Sequence, residues 1–330
     1  MIVHHPNCSH VILSPQALLH TSPLRWTAMD LPHEQRPQRG IAAAILGSLM
    51  TGFGGVFASL TYGMSGLVVT FWRIWVGALL LWVVSAVMGR RPSWATMRVS
   101  IGPAAFLTAD FIFFFCALKL TSVVDVTVLG AMQPALVMLI ARRMFHERLR
   151  PLDVVWVVVA MLGVTVAVLG PGTRSPHAFE GGCFAVAAML MWTGYWLAGK
   201  RVRVTHDALE FTTSVLLLCA VMVAPVVLVS RQSIFTAHAG DWKWVVLVAT
   251  IPSAGHLVLN YAQRFLAASI SSAIGCLSPL VASAAAVPLL HQPLSLSQVL
   301  GLIIGVGAVS VIAATNRAPE LVPPDTPVTA

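Results

Sequence analysis

Two ionisable residues stand inside long apolar runs: Asp110 in Leu107-Thr-Ala-Asp110-Phe-Ile-Phe, and His256 in Ser253-Ala-Gly-His256-Leu-Val-Leu-Asn260. An Asp placed at the centre of a membrane helix costs about 2.5–3.5 kcal/mol, so it is expected to face a cavity or a partner. Asp110 therefore reads either as a contact for a substrate amine or carrier of coupled protons, or as a fixed polar link between helices. An imidazole changes charge near neutral pH, so His256 together with Asp110 could bind a zwitterion or relay a proton. As a lone histidine in a span it could equally be a satisfied packing residue. Asn260 lies four residues beyond His256 and shares its helix face.

Further residues extend this constellation. Thr51-Gly52-Phe53 and Thr193-Gly194-Tyr195 occupy equivalent places in two apolar blocks, with Trp192 and Trp196 flanking the second copy. Ring faces at such a place can stack on a planar or amine-bearing solute, or they can simply pack or anchor at the interface. Arg73, also within an apolar block, has a stem long enough to snorkel and reads mainly as a structural partner for a carbonyl or carboxylate. Pro134 and Pro279 each delete a backbone donor within a span, which kinks the helix and suits a gate. Gln133 and Ser278 precede these prolines, where they could satisfy the freed groups or touch substrate. Asp125 and Glu210 fall near block ends, where solvent or a helix N-terminus accounts for them.

These positions belong to a chain that repeats itself. Ala117-x-Lys119 recurs as Ala262-x-Arg264, Gly130-x3-Pro134 as Gly275-x3-Pro279, and His146-x2-Leu149 as His291-x2-Leu294, all at an ungapped offset of about 145 residues. At that offset His256 corresponds to Phe111, the neighbour of Asp110, so the two halves should carry an acid and an imidazole to similar depths. Paired halves are a mark of transporters.

Charged residues make up 10% of the chain and apolar ones 57%, a balance that no soluble fold could bury. Apolar runs of bilayer-crossing length fall near 41–60, 66–88, 100–120, 123–141, 152–170, 181–200, 209–230, 244–264, 268–290 and 296–314. The fold expected is an all-α integral membrane protein of ten transmembrane helices. The net charge of +8 would suggest nucleic acid in a soluble chain. Here, however, most Lys and Arg sort to the loops on one side, while Lys119, Arg174, Arg231 and Lys243 fall on the other. That bias places both termini in the cytoplasm of a multi-pass protein of the cell membrane and excludes a nucleic-acid partner. Five spans per half, an odd number, make the repeats inverted, and inverted repeats provide two ways to open one cavity.

The domain reading that follows is a tail at 1–39, repeats at 40–170 and 180–315, and a proline-rich disordered tail at 316–330. The first segment has neither the basic start nor the long apolar core of a signal peptide. It is expected to be either a disordered cytoplasmic tail, or, for residues 1–28, a stretch ahead of a true start at Met29. The five cysteines form no disulfide or metal pattern.

Ala117-Leu-Lys119-Leu-Thr-Ser, Gln133-Pro134, His146-Glu147-Arg148-Leu149 and Phe71-Trp72-Arg73, with weaker copies in the second half, resemble the EamA-type branch of the drug/metabolite transporter superfamily. The resemblance covers about 40–315. It implies two inverted five-helix repeats around a central cavity, with the fifth and tenth spans packed outside it, and a secondary transporter exporting an amino acid, a related metabolite or a cationic drug. Where that pattern has Glu in its second copy, this chain has His291-Gln292-Pro293-Leu294, whereas Glu147 keeps the acid in the first.

Other classes fit less well. Gly52-Phe-Gly54-Gly55 lacks the strand, Lys and Ser/Thr of a phosphate loop, so no ATP or other cofactor is expected. His146-Glu147-Arg-Leu-Arg150 lacks the second His of a zinc helix, and no nucleophile with a nearby base stands out, which argues against an intramembrane enzyme and against a metal. A non-transporting receptor or scaffold is the remaining alternative. Small-residue positions at Gly301, Gly305 and Gly307 allow close helix approach, within one chain or in a homodimer. The partners expected are a small-molecule solute, the bilayer and, for a coupled carrier, protons.

Overall fold

In a computed structural model, the described residues are 35–315 except 134–135, 138–139, 141–150, 153–154, 157, 160–161, 164–175, 236–237, 267, 276 and 293. Pro134 and Glu147 thus lie outside the described residues, as do most of the fifth apolar block and the greater part of both predicted tails.

Continuous apolar composition leaves each block no way to satisfy its backbone in lipid other than a helix. The helices are α1 Gln35–Ser59, α2 Gly66–Val87, α3 Trp94–Leu120, α4 Val123–Gly130, α5 Ala178–Thr205, α6 Ala208–Ser230, α7 Trp242–Ala262, α8 Ala268–Gly275, α9 Leu277–Leu290 and α10 Leu296–Thr315. Among the described residues six of these, α1, α2, α3, α5, α6 and α7, are long and apolar enough to cross a membrane. The ten expected spans are therefore met in part. The fourth block appears as α4, the ninth as α8 and α9 on either side of Cys276, and the tenth as α10. Pro279 is the third residue of α9, within the first turn, where the missing N–H costs that helix no bond.

Local chemistry sets the helix starts. Ser65, Ser93 and Ser122 cap α2, α3 and α4 by accepting from the amides of Val68, Thr96 and Asp125. Asp207 caps α6 through Leu209 and Glu210. Glu210 then accepts from the Ser93 amide at 3.0 Å and Thr96 Oγ1 at 2.6 Å, and Asp125 accepts from Thr121 and Gln298, so both acids sit in first helical turns.

The packing exchanges between the halves. α3 lies along α5. In the equivalent place, α1 crosses α7 where Gly47 and Gly255 allow the backbones to approach, a Cβ at Gly47 falling 2.9 Å from Gly255 O. α2 on α6 is a contact between equivalent helices, α4 on α9 is one between the equivalent fourth and ninth blocks, and α3 on α6 mirrors α7 on α2. At one end the α2–α3 connection meets the α5–α6 junction through the Arg90–Asp207 ion pair at 2.7 Å. The α1–α2 connection instead meets the α6–α7 connection, with Gly63 N donating to Asp241 Oδ2 at 3.2 Å and Trp72 Nε1 to Ile234 O at 2.8 Å. Lys119 donates to Ala58 O and Thr61 O, tying the end of α3 to carbonyls at the end of α1.

Gly66 illustrates how tight these crossings are. A Cβ there would lie 2.6 Å from Phe115 O and 2.7 Å from Cys116 N, with backbone on both sides. Gly66→Ala is expected to destabilise the protein by about 1–3 kcal/mol, read as a lower melting temperature in detergent, because neither helix can yield locally.

Candidate functional site

α1 to α5 and α7 to α9 enclose a cavity of about 170 Å³. Its walls are aromatic, from Phe111, Phe114 and Phe115 on α3 and Trp192 and Trp196 on α5, with Gly52, Gly54 and Gly55 keeping the α1 face bare. Its polar lining is Thr51, Arg73, Asp110, Thr127, Gln133, His256 and Ser278. The chain thus brings together residues from both halves, Thr51 and Ser278 among them lying 227 positions apart in sequence.

Arg73 and His256 meet at one wall. Arg73 Nη2 stands 3.2 Å from His256 Nε2, and a guanidinium has only donors, so the imidazole accepts and is neutral with its proton on Nδ1. The Arg73 guanidinium lies over the Phe111 ring, 3.7 Å from its centroid, which offsets part of its lost hydration. His256 is held edge-on between Phe111 at 5.6 Å and Trp192 at 5.3 Å. Arg73 Nε and Nη1 have no hydrogen-bond partner among the described residues.

Asp110 is 7% exposed, on the same cavity. Among the described residues its carboxyl accepts no hydrogen bond and closes no ion pair. Gln133 is 5% exposed, and its Nε2 likewise has no partner. Unpaired polar groups in a buried cavity carry a desolvation cost that water or a ligand must offset. A carboxyl and an amide donor facing one small aromatic chamber fit a solute bearing both a cationic and an acceptor group.

Other sequence candidates are placed differently. Thr51 lines the cavity, but its hydroxyl lies 2.9 Å from Ser278 Oγ, which donates to Ser48 O at 2.8 Å, so the pair stitches α1 to α9. Trp192 lines the cavity and stacks on Tyr195 at 5.2 Å. Pro279 also lines it.

Tyr195 and Asn260 do not. Tyr195 Oη donates to Asn260 Oδ1 at 3.0 Å, Arg203 Nε donates to the same oxygen at 2.8 Å, and Asn260 Nδ2 donates to Thr212 Oγ1 at 2.9 Å. The four side chains lock α5, α6 and α7 together behind the cavity. Arg203, grouped by sequence with the loop charges near Lys200 and Arg201, is fully buried. It folds back along its own helix to Trp196 O at 2.8 Å and Tyr195 O at 3.3 Å. The signal that could have revealed this is Gly199, one turn earlier: a Cβ there would fall 2.6 Å from Arg203 Nη2, so the glycine opens the groove in which the guanidinium lies.

Comparison with known proteins agrees with this architecture. A solved structure titled "Crystal structure of protein" is similar to this chain with a TM-score of 0.64 at 19% identity, covering 84% of this chain and 97% of that one. No curated protein matches. The model of the EamA-like transporter family matches twice, over residues 38–169 and 180–314, one match for each half. Those two matches span most of the sequence and coincide with the two halves that enclose the cavity, and the protein accordingly belongs to the EamA-like transporter family, membrane transporters of small substrates.

Proposed function

We propose that the protein is a secondary transporter that exports a small amine-bearing metabolite, such as an amino acid, by alternating access, with Asp110 receiving the amine or a coupled proton. The observation that carries this reading is that one cavity walled by both repeats holds an Asp110 carboxyl that makes no hydrogen bond among the described residues and is attracted to Arg73, together with a Gln133 amide whose Nε2 has no partner. A zwitterion would satisfy both, its ammonium at Asp110 and its carboxylate at Gln133 or at the free edge of Arg73, while its side chain met the aromatic wall. At about 170 Å³ the chamber is smaller than the ~300–1,000 Å³ typical of drug-sized sites, which favours a small solute over a large cationic drug.

The neutral His256, held by Arg73, leaves Asp110 as the better proton carrier of the two. The exchange of contacts between the halves, with equivalent connections gathered at opposite ends, supports an inverted repeat and two opposed openings. The cytoplasmic placement of both termini rests on the distribution of basic residues.

The test is counterflow and net efflux of labelled amino acids, dicationic dyes and nucleosides in proteoliposomes, with and without an imposed pH gradient. Movement of amino acids that follows the gradient is the expected result. Selective movement of nucleosides, or of none of these solutes, would overturn the reading.

A further inference from the structure

Every cavity glycine but two is used for packing. A Cβ at Gly52 would strike Val281 Cβ at 2.7 Å and Ser278 O at 2.8 Å, one at Gly54 would press on Pro252 at 3.3 Å, and one at Gly55 would touch Phe114 and Val123 at 3.5 Å. Gly130 and Gly275 differ: among the described residues a Cβ at either meets nothing within 4 Å, although both line the cavity. They are each other's equivalents at the repeat offset. Each is the last residue of its helix, where the closing carbonyls have no intrahelical donor and carry the negative end of the helix dipole.

A second property singles out the same two residues. The helical donor to the carbonyl of residue 130 would be the amide of residue 134, and that to residue 275 the amide of residue 279, and both positions are proline. A proline at that position cannot extend the helix by an amide bond back to either carbonyl. These two repeat-related residues line the cavity that also holds Asp110, which is 7% exposed and makes no hydrogen bond among the described residues.

We propose that Gly130 and Gly275 form a paired seat for the cationic group of the solute, their bare backbones giving it acceptors and their missing side chains setting the size of solute admitted. This deepens the transport reading and rests on it. The seat recognises a monovalent cation, either the ammonium of the solute or an inorganic ion carried with it. Asp110 supplies the full charge and the glycine carbonyls supply directed dipoles. Such a division is expected where a helix is interrupted beside a transport site. Alanine at either position would project a methyl group into the seat without disturbing the packed core.

The experiment has two parts. First, single cysteines at Gly130→Cys and Gly275→Cys, in a chain whose native cysteines are serine, are exposed to cationic ethylammonium and anionic ethylsulfonate methanethiosulfonates. Gly102→Cys, whose Cβ also meets nothing within 4 Å but which lies on an exposed part of α3, is the control. Faster reaction with the cationic reagent at 130 and 275 than at 102 is expected. No reaction at 130 and 275, or preference for the anionic reagent, overturns the proposal.

Second, counterflow of alanine and phenylalanine is measured for the native protein and for Gly130→Ala, Gly275→Ala and Gly102→Ala, in sodium and in potassium media. The phenylalanine-to-alanine ratio should fall about 10-fold or more in the first two variants and stay at the native value in the third, as one methyl group in a confined site discriminates by that much. A native ratio in all three overturns the proposal. A sodium requirement lost only in the first two variants assigns the seat to the inorganic ion, and its absence assigns it to the ammonium. A native protein that moves neither amino acid while both cysteines label overturns the transport reading and the selectivity role with it, and leaves the geometry of the seat standing.

Discussion

Asp110→Asn is expected to uncouple the protein from an imposed pH gradient and to weaken binding of an amine-bearing solute by about 10- to 150-fold. The latter corresponds to losing a charge-assisted hydrogen bond of roughly 1.5–3 kcal/mol. Asparagine keeps the shape of the side chain, and the carboxyl it replaces makes no hydrogen bond and closes no ion pair among the described residues, so the fold loses only its longer-range attraction to the buried Arg73. Retained thermal stability together with lost gradient dependence is therefore the expected pair of results, measured by melting in detergent and by efflux from proteoliposomes at imposed inside-acid and outside-acid gradients. The sign follows from the chemistry: a carboxyl that must release its proton to take an ammonium exchanges one cation for the other, so solute should move against the proton flow. A variant that still follows the gradient at the native rate removes Asp110 from the coupling role.

The largest effect on stability belongs to the network behind the cavity. Asn260→Leu is expected to destabilise the protein by about 3–5 kcal/mol, since it leaves the fully buried Arg203 without the acceptor for Nε and strips Tyr195 of its partner, inside a helix contact that water cannot reach. Leucine has as many side-chain heavy atoms as asparagine but bulkier methyl groups, so the cost reports the lost polar contacts together with some overpacking and not a cavity. Asn260→Asp keeps an acceptor against the guanidinium and should remain folded. The measurement is monodispersity and melting temperature of the two variants in the same detergent. Equal melting of Asn260→Leu and the native protein would show that Arg203 draws its support from the Tyr195 and Trp196 carbonyls alone.

Much of the site was legible before any coordinates. Asp110, His256, Arg73, Gln133, Thr51 and Trp192 were singled out because polar or aromatic side chains in apolar runs must find partners, and all six line the cavity. Asn260 and Tyr195 were singled out by similar logic but face the Arg203 network. The spacing of four residues between His256 and Asn260 places them on one side of α7, yet one turn is enough for the first to meet the cavity and the second to meet α5 and α6. Arg203 was overlooked because a basic residue at a helix end, beside Lys200 and Arg201, resembles a solvated loop charge. Only its lateral neighbours show otherwise.

Hydropathy and repetition in the chain were sufficient for the membrane location and the two-part organisation, because a helix is the only local solution for an apolar segment in lipid and because duplicated segments keep their pattern along the backbone, while the family came from the resemblance of short motifs such as Gln133-Pro134. The division of polar residues between cavity and scaffold was settled by the crossing of helices from different halves: α1 against α7, α3 against α5, and α4 against α9. Those crossings depend on where glycines let backbones approach and where bulky rings hold them apart. These are contacts between positions far apart in the chain, and periodicity along a single helix does not encode them.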